Sequence, residues 1–170
     1  MNHLILELAV FTRNWKKILE LWPNANIKES PLPLQLRYIH EKINEKAGML
    51  IYLLDMTDEK IKDRLDIIVP YVPFCMMFVD EIDESLENDM EAYLAQFETP
   101  LFLVLPEDKN LKETITQISH LDYKLPEIVV LEQEADPGRA MKKLIHKILE
   151  KLNQAPDVQI INQSTEEELL

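Results

Sequence analysis

The sequence predicts an α/β fold of three layers, with a mostly parallel six-stranded sheet and one antiparallel hairpin at its edge. Two observations carry this. Continuous apolar runs such as FCMMFVD (74–80) and LFLVL (101–105) alternate with segments of helical periodicity, as in a parallel sheet covered on both faces. Near the start, two strand-like runs are joined by a short turn with no helix between them, and that pair supplies the antiparallel edge.

The elements follow in order. Leu4–Phe11 reads as a strand, a helix over Leu4–Trp22 being the alternative. Asn14 is placed to cap a helix that sets Trp15, Ile18, Leu19 and Trp22 on one face, and Pro23 ends it. Residues 23 to 34, with Pro23, Pro31 and Pro33, read as loop. Leu36, Tyr38 and Ile43 alternate with polar residues as an edge strand, Asn44–Gly48 turns, and MLIYLLD (49–55) is a strong strand. Ile61, Leu65, Ile68 and Val69 define a helix over 59–69 stopped by Pro70 and Pro73. After strand 74–80, Asp83 or Ser85 caps a helix whose apolar face is Leu86, Met90, Tyr93, Leu94 and Phe97. Beyond strand 101–105, Asn110 and Glu113 form a capping box for a helix carrying Leu111, Ile115 and Ile118. EIVVLE (127–132) is the last strand. Asp136-Pro137 opens a helix that buries Met141, Leu144, Ile145, Ile148, Leu149 and Leu152. Residues 1–154 are expected to form one domain, and 155–170 a loose acidic tail.

Composition narrows the function. The chain has 170 residues and a net charge of −13, from 31 acids and 18 bases. That charge disfavours nucleic acid and anionic membrane surfaces as partners. The lone Cys75 lies in an apolar run and reads as a core residue. The N-terminal HLILELAV is short and contains Glu7, so neither a signal peptide nor a membrane span is expected, and a reducing cytoplasmic location follows. There are 2 glycines, where average usage gives roughly a dozen. Gly48 is assigned to the hairpin turn and Gly138 to the first turn of the last helix, so neither serves a phosphate-cradling loop.

In element order and spacing, residues 3 to 153 resemble the Ras-like small GTPase fold. MLIYLLDMTDE resembles that family's third strand and Asp-x-x-Gly, ETPLFLVLPEDKN its fifth strand and base-reading loop, and EIVVLEQEAD its sixth strand and Ser-Ala-Lys loop. The functional motifs themselves are replaced. Leu8 to Trp15, where the phosphate loop belongs, has no glycine and no Lys-Ser/Thr pair. Asp55 matches but Asp58 replaces the motif glycine. Pro106 and Glu107 replace Asn-Lys, Lys109 stands for the base-reading Asp, and Glu132-Gln133-Glu134 replaces Ser-Ala-Lys. The resemblance therefore implies a pseudo-GTPase with no catalytic, cofactor-binding or metal-binding residues. The loop Val10–Trp15 is expected to close over the vacated site with Phe11 or Trp15 turned inward.

A second reading starts from Asp55 as the phosphoacceptor of a response-regulator receiver, with Lys109 as its lysine. The first strand, however, ends without the acidic pair such sites need. An atypical nucleotide-dependent switch is the other alternative. An enzyme of another doubly wound family would place its site at the carboxyl ends of the strands. His3, His40, His120 and His146 show no metal-ligand spacing, and Asn162-Gln163-Ser164 is a chance sequon. Residues 80 to 98 carry Asp80, Glu81, Asp83, Glu84, Glu87, Asp89, Glu91 and Glu98 without a base. They form either a solvated face or a docking surface for a basic protein. Lys142, Lys143, Lys147 and Lys151 make the last helix the second candidate surface, for a homo- or hetero-oligomer.

Overall fold

The computed structural model describes residues 4–21, 25, 27–30, 36–79, 82–120 and 126–153. They share one seven-stranded sheet. The elements are β1 (Leu4–Thr12), α1 (Trp15–Leu21), β2 (Ile27–Glu29), β3 (Arg37–Asn44), β4 (Ala47–Asp55), α2 (Glu59–Lys62), β5 (Cys75–Phe78), α3 (Glu84–Gln96), β6 (Leu101–Pro106), α4 (Leu111–Ser119), β7 (Glu127–Leu131) and α5 (Pro137–Asn153). The sheet order is β2-β3-β4-β1-β5-β6-β7. β1 runs parallel to β4 from Leu4 opposite Ala47 to Thr12 opposite Asp55, and parallel to β5 on its other side. β5, β6 and β7 continue in parallel, while β2 and β3 make the antiparallel edge.

Because side chains alternate along a strand, β1 feeds two cores. Leu6, Leu8 and Val10 pack with Ile18 of α1 and with Met141, Leu144, Ile145, Ile148, Leu149 and Leu152 of α5. Ala9 and Phe11 face Ile61 of α2, Leu86, Met90 and Tyr93 of α3, and Ile118 of α4. These two helical layers around the sheet are the predicted architecture, and the whole predicted apolar face of α5 is buried.

Several details differ from the sequence reading. The sheet has seven strands because Ile27–Glu29, read as loop, pairs with Arg37–Ile39. This short run has no period of its own, and its pairing is supplied by the free edge of β3. Among the described side chains of β3, Ile39 is the fully buried one, and Tyr38 is half-buried. Gly48 lies inside β4 and not in the turn, which is Glu45-Lys46. A Cβ there would stand 3.4 Å from His40 Nε2. The expected helix 59–69 breaks after Lys62 into two 3₁₀ turns, Leu65–Ile67 and Val69–Tyr71. The β-branched run Ile67-Ile68-Val69 and Pro70 oppose a continuous α-helix, although Leu65, Ile68 and Val69 remain buried.

Asp83 caps α3, its Oδ1 accepting from Leu86 N at 2.9 Å, and Leu94 stands outside the apolar face at 42% exposure. α4 starts after Asn110, whose side chain makes no capping bond. Instead Asp108 Oδ1 accepts from Asn110 N at 2.9 Å. Asp136 opens α5 as expected, accepting from Gly138 N at 3.1 Å. Trp22, Pro23, Asp80, Glu81, the tail after 153 and its sequon lie outside the described residues.

Candidate functional site at the carboxyl ends of the strands

After β1 the chain turns toward the β2–β4 side of the sheet, and after β5 it turns toward β6 and β7. The crevice between β1 and β5 is therefore the topological switch point, where doubly wound sheets hold their ligands. A cavity of about 230 Å³ lies there. Phe11 and Thr12 of β1, Met56 beyond β4, Met77 and Phe78 of β5 and Leu86 of α3 line it, with Arg13, Asn14, Lys17, Asp83 and Asp89 around them.

Arg13 and Asn14 alone separate β1 from α1. A phosphate loop spans about eight residues and needs glycine to let its amides approach an anion. The backbone here is instead tied to protein. Thr12 Oγ1 accepts from Asn14 N at 3.0 Å, and Met56 N donates to the Thr12 carbonyl at 2.8 Å. Arg13 donates Nε and Nη2 to the two carboxylate oxygens of Asp89, each at 3.0 Å. Asp89 is 8% exposed. Burial pushes its carboxyl above the usual range, with Arg13 and then Lys62 opposing and Asp83 adding to the rise. An internal carboxylate thus occupies the cation that stands in the phosphate loop's place.

Of the two aromatic rings expected to fill this site, Phe11 is turned inward. It is buried and meets Tyr93 edge-on, ring centroids 5.5 Å apart. Trp15 is half-buried and lies under the Arg37 guanidinium, 4.4 Å from its ring centroid. The expected closure is therefore incomplete: a two-residue turn is too short to cover the crevice, and the cavity stays open above Phe11.

Asp55 is not assembled with a catalytic partner. Its Oδ1 accepts from Thr57 N at 2.9 Å and from Thr57 Oγ1 at 2.6 Å, closing a local turn. Asp58, in place of the motif glycine, caps α2 through Lys60 N at 3.0 Å. Lys109 follows β6, and β1 and β5 lie between β4 and β6, which separates the two strands by about 14 Å. The structure does not bring Asp55 and Lys109 together, so it does not assemble the receiver constellation.

A second recess, about 720 Å³, lies at the ends of β6 and β7, where the resemblance places base recognition. Its walls carry Glu20, Glu107, Asp108, Glu132 and Glu134. Lys147 donates to Glu132 at 2.6 Å and holds that carboxyl below the usual range. Lys143 and Arg139 both reach Glu134. Among the described residues no group of three or more His, Cys, Asp or Glu is placed to hold a metal.

The lysines of α5 are engaged one by one: Lys142 with Glu41, Lys143 with Glu134, Lys147 with Glu132 and Lys151 with Glu127. His146 pairs with Glu150 along the helix at 3.1 Å. On α3, by contrast, Asp89 is the acid with an ion pair among the described residues. Sequence reasoning missed the Arg13–Asp89 pair. The signal was Asp89 itself, an acid set on the same helical face as Leu86, Met90 and Tyr93.

No family model and no curated protein matches the sequence. No helix among the described residues is long and apolar enough to cross a membrane. Among solved structures, the chain is similar to the cytosolic domain of the T. maritima FeoB iron transporter in apo form. The TM-score is 0.54 at 12% identity, covering 92% of this chain and 68% of that one. It is likewise similar to the G domain of the same transporter, with TM-score 0.53 at 13% identity, covering 86% and 98%. At such identity the likeness is one of fold: the chain is built on a GTPase-like scaffold.

Proposed function

We propose that the chain is a non-catalytic protein–protein interaction module, a GTPase-like scaffold that no longer binds or hydrolyses nucleotide. The observation that carries this reading is the Arg13–Asp89 pair across a two-residue turn. The phosphate-loop position offers neither free cationic charge nor glycine backbone, and a γ-phosphate brought there would face a buried carboxylate. Acidic walls at the base-recognition position support the same reading. Phe11 fills the floor of the crevice, so the core is complete without a ligand. Such a module fits a reducing cytoplasmic setting, where the buried thiol of Cys75 stays free. Of the two surfaces proposed for a partner, α3 is favoured, because the lysines of α5 are already paired.

Thermal unfolding with GTP, GDP and magnesium tests it. A ligand at about a hundred times its dissociation constant adds about 2.7 kcal/mol. The expected result is no shift with any guanine nucleotide; a saturable upward shift would overturn the reading.

A further inference from the structure

We infer that the cavity between β1, β5 and α3, together with the acidic stripe leaving its rim, is a docking groove for a basic amphipathic helix of a partner protein. This deepens the interaction-module reading and rests on it. The groove has two ends. At one, Phe11, Met56, Met77, Phe78 and Leu86 form an apolar floor with an opening to solvent. Phe11 and Leu86 are fixed by packing, while methionine adapts to differing shapes. At the other, Leu94 exposes 42% of its surface in the last turn of α3.

Helical spacing joins the ends. Asp83 lines the cavity and caps α3. Glu87 and Glu91 follow it at i+4 and i+8, and Leu94 at i+11, so all four lie on one stripe. The stripe is about 16 Å long, a span that a second helix covers in three turns with one anchor side chain at each end.

Charge identifies the occupant. Residues 82 to 98 contain no Lys or Arg. Among the described residues Glu84, Glu87 and Glu91 make no ion pair, although every one of the α5 lysines named above does. The cations at the cavity are Arg13, which Asp89 holds, and Lys17, and Glu87 and Glu91 along the stripe are left without an ion pair among the described residues. A partner that meets it must bring Lys or Arg beside its apolar anchors. The α5 lysines of a second copy are already engaged, and an anionic membrane is repelled.

The test uses the full chain and a defined probe: a fluorescein-labelled helical peptide of about eighteen residues, lysine-rich, with two leucines on one face eleven positions apart. Its control has the same composition with the leucines on opposite faces. Anisotropy titrations compare the natural chain with Asp83→Asn/Glu87→Gln/Glu91→Gln, Leu94→Ser and Lys147→Gln. Asparagine preserves the helix cap, and circular dichroism melts establish that each variant folds. The expected result is saturable binding that weakens with salt and falls roughly tenfold in the triple variant. It should fall severalfold in Leu94→Ser and for the control peptide, and stay unchanged in Lys147→Gln. No binding by the natural chain, or equal affinity across variants or peptides, overturns the groove. So does a dimer in light scattering that the triple variant abolishes, since the stripe would then serve self-association. Nucleotide melts run in parallel separate the two readings. A guanine-nucleotide shift defeats the proposed function, whereas peptide indifference without such a shift defeats the groove alone.

Discussion

Arg13, in the turn after β1, and Asp89, in the middle of α3, close a two-pronged ion pair over the switch-point crevice, with both hydrogen bonds at 3.0 Å. The pair ties the first strand to the helical layer above it, and it places a carboxylate at the cavity between the ends of β1 and β5. Planar guanidinium and carboxylate match in geometry, so the arrangement persists without a ligand.

Arg13→Ala is expected to lower stability by about 2 kcal/mol at neutral pH. The figure is less than the ~3–5 kcal/mol for a wholly buried pair, because the Arg13 side chain is 36% exposed and screened by solvent. The loss should depend on pH with a definite sign. Unfolded Asp89 titrates near about 3.9, and burial raises it in the folded protein. For a raised acid, the stability contributed by its protonated form is complete below the unfolded value and disappears as pH rises through the folded value. Removing Arg13 raises the folded value further. The deficit against the natural chain should therefore be small in acid and widen toward neutral pH. Urea melts across that range check it, and a deficit constant with pH would count against the buried-carboxylate account.

Asp55→Ala is expected to cost about 1 kcal/mol, the worth of a local turn cap, through loss of the Thr57 contacts at 2.9 and 2.6 Å. Incubation with acetyl phosphate and magnesium should leave the intact mass unchanged. A covalent phosphate that vanishes in Asp55→Ala would restore the receiver reading.

Phe11→Ala is expected to cost about 3 kcal/mol, as for other large truncations in a packed core. The ring is 1% exposed and supports Tyr93 edge-on. Tyr93 in turn donates its hydroxyl to the Thr99 carbonyl at 2.6 Å, and Thr99 Oγ1 donates to the Val69 carbonyl at 2.9 Å. The deletion should thus also loosen the Val69–Tyr71 turn. Hydrogen exchange at residues 65–72, compared between the two chains, is the direct measure.

What the sequence made legible follows from which forces were local. α5 was readable in full because its apolar residues repeat at helical spacing and Asp136-Pro137 starts it with a local cap. The buried strands were readable because a run such as FLVL has no other home than a covered sheet. β2 was not, since Ile27–Glu29 is a strand only through β3, and the break after Lys62 was hidden by buried residues that keep helical spacing across it. At the site, the absence of glycine and lysine could be read directly from residues 8–15. The ion pair that stands there could not, because Arg13 and Asp89 lie 76 positions apart and meet only in the folded chain. The ion pairs of the α5 lysines were likewise not legible in sequence, where Glu41, Glu127, Glu132 and Glu134 are distant from the lysines they meet.

The single cysteine offers a readout for the whole fold. Cys75 begins β5 between β1 and β6, has no exposed surface, and burial pushes its thiol up to about 12. The thiolate is the reactive form. At pH 8 a group with that value holds about one part in ten thousand as thiolate, and a disulfide reagent has no path to it. The natural chain should therefore react with such a reagent at a rate set by opening of the fold, and at once in denaturant. Since β5 is paired on both sides, the opening that exposes Cys75 requires separating the central strands, which equates it with global unfolding. Arg13→Ala and Phe11→Ala should each accelerate labelling, by about 30-fold for a 2 kcal/mol loss and more than 100-fold for 3 kcal/mol. Time-resolved thiol labelling at fixed pH measures this. Rapid labelling of the natural chain without denaturant would show that β5 opens locally and that the central sheet is not the most stable part of the molecule.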